Sequence, residues 1–473
     1  MANHNPQRHG TETIRAIGIM AKHSDQKLKA DETFQQYKAR VMDSKSASFC
    51  GAKWYYSTIW LGSGMTTSCH HPLPHRVSED EVRANYKALA NTAIRKRERA
   101  EMQQGIRCHG CDYCWRIEDL GGDQISDRVY KTVLYDDLAL EQAYTSDASQ
   151  DFDLKYLEIS FDRTCNLACS YCNPAFSTTW VKDIKNNGPY EVLVTDAQDH
   201  YTHAHGDAGK YDHADENPYV EAFFKWWEAD LNHTLTHLRL TGGEPLMSKH
   251  TWKLFDWFEN NSRELYFAIN SNLISKPDII NKLITASKNI SDFNVYTSCE
   301  SVGARAEYIR DGFEWNTWTN NFDTLANEPG IKLHSMCTIG AISLGGLVEY
   351  LDWCLVQKAK YNKDTPTFTL NIQRFPKCQS PLILPMHIRE GYASQLAEWR
   401  DTHKDSGHLH AMEVEHLNRL IDYLQENNNQ LGPPGYIEQL QKDFKSYYTQ
   451  FDARRNKNFT ETFPELTEWY NTL

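Results

Sequence analysis

Three cysteines stand close together in the chain, in the order Cys165, Cys169 and Cys172. On one tight loop, three thiolates can each bind one iron of a [4Fe–4S] cluster, which leaves the fourth iron without a protein ligand. A structural zinc site would need four ligands, usually in two close pairs, and a disulfide would leave one thiol unused. The spacing therefore favours an iron–sulfur cluster with an open iron. Tyr171, beside the third cysteine, is expected to shield that cluster from water.

A second group of cysteines lies nearer the N-terminus. The chain has twelve cysteines in 473 residues, and its first residues contain no continuous apolar run, so we expect no secretory signal. Cysteines clustered at short spacings in such a chain favour metal or redox chemistry over disulfides. The members of this second group are Cys50, Cys69, Cys108, Cys111 and Cys114.

A glycine-rich turn follows the first cysteine group by 70 residues. The predicted strand 236–240 ends in Thr241-Gly242-Gly243-Glu244-Pro245. Two glycines in succession allow backbone carbonyl groups to approach a ligand closely. Such a turn is common by itself, but its position at the end of the strand after the C-x3-C-x2-C run makes the combination specific.

Together, these two segments resemble the signature of the radical S-adenosylmethionine (SAM) enzymes over residues 155–375. The resemblance implies a [4Fe–4S] cluster on the first three cysteines, with SAM bound at its open iron. It also implies that SAM is cleaved to a 5′-deoxyadenosyl radical, which abstracts a hydrogen atom from a substrate C–H. The segment expected to receive the methionine part of SAM comprises Gly242, Gly243, Glu244 and Pro245.

Two further strand ends fit the same family. Asn272 follows the third predicted strand, and the fourth ends at Ser298, close to Glu300. In the family these positions contact SAM, although Asp is commoner than Glu at the second one. Arg310 is expected to neutralise Glu300 or the SAM carboxylate, with a surface position as the alternative. Cys299 is a candidate for hydrogen-atom donation, or else a small buried side chain.

The N-terminal cysteines resemble a twitch domain, the shortened relative of the SPASM domain, which binds one auxiliary [4Fe–4S] cluster. The resemblance assigns four ligands, with Cys108 as the alternative to Cys111. Spacing alone does not separate an iron–sulfur cluster from a zinc site. With four protein ligands, a cluster would accept an electron from a substrate radical, and with an open iron it would anchor the substrate. The four assigned ligands are Cys50, Cys69, Cys111 and Cys114.

The elements around these residues alternate between strands and helices. Residues 50–69 predict a β-hairpin, and residues 79–104 predict one charged helix. After residue 150, six strand–helix repeats predict an α/β fold with a parallel, partial (β/α)6 barrel of the TIM type, and chemistry is expected at the carboxyl ends of its strands. The predicted strands cover 156–161, 236–240, 265–270, 293–297, 332–338 and 367–373.

We expect four segments along the chain. An N-terminal arm covers 1–45, and a twitch-like hairpin and helix domain covers 46–150. The radical SAM partial barrel covers 151–380, and a helical segment covers 381–473. The polar stretch 196–217 is expected to be a solvated surface loop.

Composition limits the partners. The formal net charge of −13 argues against general nucleic-acid binding, and no apolar run is long enough for a membrane span. We therefore expect a cytoplasmic protein. The radical SAM resemblance further implies that it receives electrons from a reductase such as flavodoxin or ferredoxin.

The predicted activity is hydrogen abstraction from a small molecule, followed by oxidation or bond formation. A peptide substrate, modified by crosslinking or epimerisation, is the alternative. A metal-binding regulatory or scaffold protein without catalysis is the alternative outside the enzymes.

Overall fold

The computed structural model of the protein describes residues 28–29, 31–121, 124–202, 208–212, 216–361, 365–433 and 435–473. Most of the predicted arm 1–45 lies outside these ranges. The described residues form two compact units. The first lies within Met1–Phe161, His213–Leu240 and Glu264–Phe267, and the second within Asp162–Asp212, Thr241–Arg263 and Ala268–Leu473.

The strands of the described residues are β1 Tyr56–Trp60, β2 Met65–Thr67, β3 His75–Arg76, β4 Tyr156–Ser160, β5 Ala168–Cys169, β6 His237–Thr241, β7 Arg263–Ser271, β8 Ile290–Ser298, β9 Arg310–Asp311, β10 Ile331–Ile339 and β11 Thr367–Ile372. In the first unit the strand order is β7-β6-β4-β1-β2-β3, and in the second it is β11-β10-β8-β7. β7 has residues in both units. A separate pair, β5 with β9, is antiparallel and lies in the second unit.

Most of the sheet is parallel, as the sequence predicts. β1 pairs in parallel with β4, and β10 pairs in parallel with both β8 and β11. All six strands predicted after residue 150 are present, with ends shifted by three residues or fewer. The chain is therefore an α/β protein. Closure of the sheet as a partial barrel stays a prediction.

The predicted hairpin is present but shorter than expected. β1 and β2 pair antiparallel with Trp60 opposite Met65, so the turn lies over 61–64. Cys50 lies outside the hairpin, because residues Ala52–Tyr55 form a short helix before β1. Since β1 also pairs with β4, the hairpin is part of the sheet in the first unit.

The α-helices of the described residues are α1 Phe34–Tyr37, α2 Ala52–Tyr55, α3 Glu79–Ala84, α4 Ala93–Gln103, α5 Asp112–Asp119, α6 Asp127–Thr132, α7 Asp137–Thr145, α8 Thr178–Asn187, α9 Asp196–His200, α10 Pro218–Trp226, α11 Asn232–Thr234, α12 Lys249–Glu259, α13 Pro277–Ser287, α14 Gly303–Ile309, α15 Trp315–Ala326, α16 Leu347–Tyr361, α17 Met386–His403, α18 Ala411–Leu424, α19 Tyr436–Arg455, α20 Phe459–Thr462 and α21 Thr467–Thr472. None of them is long and apolar enough to span a bilayer.

The prediction of a single helix over 79–104 is wrong. The chain forms α3 and α4 there, with a short 3₁₀ turn between them. Asn85 and Thr92 both have extended backbone angles, and their side chains accept hydrogen bonds from the first turn of the following helix. Asn and Thr stabilise a helix start in this way, so these two residues interrupt the charged pattern.

The C-terminal helices attach to β11 through a buried charge pair. Lys358 and Glu413 are buried, and the ammonium lies 2.6 Å from the carboxylate. The same carboxylate accepts a hydrogen bond of 2.8 Å from the backbone N–H of Phe368 in β11. Glu413 therefore joins α18 to α16 and to the edge of the sheet.

We expect Glu413→Gln to destabilise the protein by about 3 kcal/mol or more, because it leaves the buried Lys358 ammonium without a counter-charge. Thermal and urea unfolding measure this loss. Asp323→Asn is the matched control, since Asp323 pairs with Lys360 on the surface at 2.8 Å. It should cost at most about 1 kcal/mol. Equal losses in both variants would show that the buried pair has no special role.

Candidate functional site

The three predicted cluster ligands lie on one loop of the second unit. Cys165, Cys169 and Cys172 are all half-buried. The backbone N–H of Cys172 donates to the carbonyl of Cys169 at 2.9 Å, which closes a turn between the last two. The N–H of Leu167 donates to the Cys165 sulfur at 3.5 Å. The loop therefore presents its three thiols from a tight, internally bonded turn.

The carbonyl of Ser170 holds this loop in place. It accepts hydrogen bonds from the hydroxyl of Tyr201 at 2.6 Å, the hydroxyl of Tyr447 at 2.5 Å and the amide of Gln379 at 3.0 Å. Tyr447 belongs to α19, so the C-terminal helical segment positions the cysteine loop directly. The indole of Trp180 adds a bond of 3.0 Å to the carbonyl of Cys169.

The expectation that 196–217 is only a solvated loop is wrong in part. Its first residues form α9, and both His200 and Tyr201 are buried. The His200 ring lies 3.0 Å from the carbonyl of Tyr171, within the cysteine loop. The polar composition of the stretch concealed this contact. Residues 203–207 and 213–215 lie outside the described part of the chain.

The GGEP segment runs beside the start of the cysteine loop. The N–H of Glu244 donates to the carbonyl of Thr164 at 2.6 Å. Gly242 has a φ of +124°. A Cβ on Gly243 would overlap that same carbonyl and would lie 2.7 Å from the carbonyl carbon of Arg163. The segment and the loop pack backbone to backbone, so glycine is required at 243.

The Glu244 carboxylate is fully engaged inside the protein. It accepts hydrogen bonds from the hydroxyl of Ser271 at 2.9 Å, the N–H of Asn272 at 2.7 Å and the N–H of Leu246 at 3.0 Å. Burial raises the pKa of Glu244 to about 7, although these donors act in the opposite direction. The carboxylate thus fastens the end of β7 to the GGEP segment. Pro245, also buried, begins the 3₁₀ turn that follows.

Asn272 connects this region to the cysteine loop. Its side-chain amide donates to the Asn166 side chain at 2.9 Å, and Asn166 donates to the carbonyl of Ile274 at 2.8 Å. The predicted strand-end residue therefore lies beside the predicted cluster ligands. It contacts them through a residue that the sequence did not single out.

Arg310 and Glu300 form a buried ion pair against the cysteine loop. The Arg310 guanidinium donates to Glu300 at 2.6 Å and to the sulfur of Cys169 at 3.7 Å. It also lies over the Tyr171 ring, 5.4 Å from the centroid, and the Tyr171 hydroxyl donates to Glu300 at 3.5 Å. Burial raises the pKa of Glu300, while Arg310 lowers it in part.

The pairing of β5 with β9 brings Arg310 to this position, because Cys169 stands directly opposite Arg310. Each of these strands has two residues, so sequence periodicity gives no signal for them. Ser298 ends β8 and is half-buried. Cys299 is completely buried, and its thiol donates to the carbonyl of Ser301 at 3.1 Å. Burial raises the pKa of Cys299 to about 12.

The residues of this loop fit a cluster with three thiolate ligands. A thiolate carries negative charge, and the buried Arg310 guanidinium already donates to one of the three sulfurs. The glycine at 243 keeps the backbone beside the loop free of side chains. Four residues predicted to meet SAM also contact this loop, namely Glu244, Asn272, Glu300 and Arg310. The donor set and its surroundings are therefore consistent with the predicted cofactors.

The first unit contains the second cysteine group. One pocket is lined by all four predicted ligands, Cys50, Cys69, Cys111 and Cys114. Cys108 does not line it, although its sulfur lies 3.5 Å from that of Cys111. No three His, Cys, Asp or Glu side chains in the described ranges are arranged to hold a single metal ion.

The surroundings of this pocket suit an anionic group. Burial, together with the neighbouring Cys111 and Cys69, raises the pKa of Cys50 to about 11, so its thiolate form needs positive charge nearby. Three cationic side chains line the same pocket, and one of them has a buried nitrogen without a hydrogen-bond partner. Four thiolates with a cluster would meet these cations, so the residues fit the predicted auxiliary centre. The three cations are Lys53, Arg128 and Lys131.

Comparisons with known proteins identify similar solved structures only. No protein-family model matches the sequence, and no curated protein matches it. SuiB of Streptococcus suis bound to S-adenosylmethionine has a TM-score of 0.33 and 13% identity, over 74% of this chain and 68% of that one. SuiB bound to the precursor peptide SuiA gives 0.32 and 13%, over 75% and 69%. SuiB alone gives 0.31 and 12%, over 73% and 68%. Similarity at this level assigns no activity or substrate to this protein.

We expect Gly243→Ala to lower the iron bound by the cysteine loop, because the added Cβ forces the GGEP segment away from Thr164. Iron and sulfide analysis after anaerobic reconstitution measures the loss. Gly391→Ala is the matched control, since a Cβ there, on α17, meets nothing within 4 Å. It should retain full iron. Full iron in Gly243→Ala as well would show that the close approach is not needed.

Proposed function

We propose that this protein is a radical SAM enzyme. The observation that carries the proposal is the convergence of two separate motifs on one loop of the second unit. The GGEP segment bonds to the cysteine loop through Glu244 and Thr164, and the buried Arg310–Glu300 pair reaches the same loop at Cys169. Cys169, Glu244, Glu300 and Arg310 are among the residues that the resemblance assigns to the cluster and to SAM.

Cys165, Cys169 and Cys172 would hold the cluster. When bound, a [4Fe–4S] cluster with SAM supplies the reductive cleavage that yields a carbon radical able to abstract hydrogen. The protein residues orient and insulate this chemistry. Arg310 places a positive charge next to the Cys169 sulfur, and its ion pair with Glu300 keeps it there without access to water.

The backbone of the GGEP segment, rather than the Glu244 carboxylate, would receive the methionine amino group. Three internal donors already occupy that carboxylate. Its role is to hold the end of β7 against the segment. Ser298, which ends β8, would help to position the remainder of SAM, and Asn272, directly after β7, would support that side of the site through its bond to Asn166.

The four-cysteine pocket of the first unit would hold an auxiliary [4Fe–4S] cluster. With four protein ligands, such a cluster exchanges electrons and does not bind substrate. A radical enzyme that oxidises its substrate by two electrons needs an acceptor for the second electron. We therefore propose a net oxidation, with electrons for SAM cleavage provided by an external reductase of the flavodoxin or ferredoxin type.

The sequence predicts two substrate classes, a small molecule first and a peptide second. One of the similar solved structures is SuiB bound to the precursor peptide SuiA. Turnover assays with candidate substrates of each class, following consumption of SAM and deuterium transfer from substrate into 5′-deoxyadenosine, separate the two classes for this chain.

We expect Cys169→Ser to abolish formation of 5′-deoxyadenosine, because it removes one of three cluster ligands. The measurement is anaerobic: EPR of the reduced protein with and without SAM, together with chromatographic assay of 5′-deoxyadenosine. Cys354→Ser is the matched control, since Cys354 is buried on α16 and should leave the activity intact. Absence of any SAM-dependent change in the EPR signal of the unmodified protein would refute the proposed function.

We expect Cys114→Ala to remove about half of the bound iron while the SAM-sensitive EPR signal persists. The reason is that Cys114 lines a pocket built from residues of the first unit only. Metal analysis for iron and zinc measures the outcome. Zinc in place of iron would be compatible with the proposed radical SAM activity but would contradict an auxiliary iron–sulfur cluster. Loss of both clusters together would contradict two separate sites.

A further inference from the structure

Three cations line the four-cysteine pocket, and two of them are neutralised by carboxylates. The Lys53 ammonium lies 2.7 Å from Glu98. The Arg128 guanidinium donates to both oxygens of Glu118, at 2.5 and 2.8 Å. These two pairs satisfy the charges of the lysine and the arginine by direct hydrogen bonds.

Lys131 differs from the other two. Its ammonium nitrogen is buried and has no hydrogen-bond partner among the described residues. The nearest carboxylate is Asp127, at 3.8 Å, and that carboxylate already bonds to the His71 ring at 2.7 Å. The face of the Tyr56 ring lies 5.4 Å away. The Lys131 ammonium therefore has N–H groups that donate no hydrogen bond to the described residues.

A buried ammonium without a hydrogen-bond partner is costly to the fold unless an anion comes close. Burial lowers the pKa of Lys131, whereas Cys69, Asp127, Cys114 and Cys50 raise it. Three of those four groups are cysteines of the pocket. The anion that would stabilise the Lys131 ammonium is therefore expected in the pocket, where the thiolates and their bound group would lie.

We propose that Lys131 is a positioning residue of the auxiliary cluster, which donates a hydrogen bond to its sulfur and raises its reduction potential. This inference rests on the proposed function, because it requires a cluster in the pocket. A positive charge near a cluster stabilises the reduced state, which carries one electron more. A raised potential suits a centre that accepts an electron from a substrate radical.

The test is a redox titration of the whole protein, followed by EPR. The auxiliary signal is identified as the one that SAM does not perturb. Lys131→Met, similar in length but uncharged, should lower the ratio of reduced to oxidised cluster at a fixed potential by roughly tenfold, which is about 59 mV for a one-electron couple. Asp127→Asn should shift the potential in the opposite direction, because it removes the negative charge nearest to Lys131.

Lys45→Met is the matched control. Lys45 pairs with Glu141 at 2.6 Å and does not line the pocket, so its removal should leave the potential unchanged. An unchanged potential in Lys131→Met with full iron would overturn the inference and leave the proposed function standing. If Lys131→Met loses its auxiliary iron, Asp127→Asn decides: a raised potential supports the inference, and no shift overturns it. Absence of a second cluster from the unmodified protein would overturn both the auxiliary centre and this role.

Discussion

The site in the second unit depends on the hydrogen bonds that fix the backbone of the cysteine loop. Side-chain thiols cannot hold a defined triangle unless the peptide units between them are held. The carbonyl of Ser170 accepts three donors, and two of them are buried tyrosine hydroxyls from α19 and from the end of α9. The helical C-terminal segment is therefore a structural support for the loop as well as a cover for the sheet edge.

Charge burial is the second constraint on this region. Glu244 and Glu300 are both almost completely inaccessible, and each raised pKa reflects the cost of burying a carboxylate. The protein compensates the two in different ways. Backbone and hydroxyl donors surround Glu244, whereas Glu300 is paired with Arg310. The difference has a chemical consequence. The ion pair places the Arg310 cation next to the Cys169 sulfur, whereas the donors around Glu244 only hold the end of β7 against the GGEP segment.

Much of this could be predicted from the sequence, because the strands after residue 150 are short apolar runs between helical patterns. The two cysteine groups and the GGEP segment were also recognisable, since their meaning is carried by spacing. The pairing of Arg310 with Glu300 was expected, and the structure contains it. The approach of Arg310 to the Cys169 sulfur was not expected, because it depends on a two-residue strand pair. The position of Cys50 outside the hairpin and the break at Asn85 depend on local capping and a short helix, which compete with the periodic signal. The contact of Tyr201 with Ser170 was concealed by the polar residues around it.

The two cysteine groups differ in exposure in a way that suits the two roles proposed for them. Cys165, Cys169 and Cys172 are all half-buried. In the four-cysteine pocket Cys50, Cys111 and Cys114 are buried, and Cys69 is half-buried. A centre that must admit a diffusible cofactor needs an open side, and it accepts contact with water when the cofactor is absent. A centre that only exchanges electrons gains from enclosure, because low exposure strengthens the influence of nearby charges on its potential. Because the four-cysteine pocket is enclosed, the cations around it would act strongly on the reduction potential of a bound cluster. In open solvent the same charges would be screened.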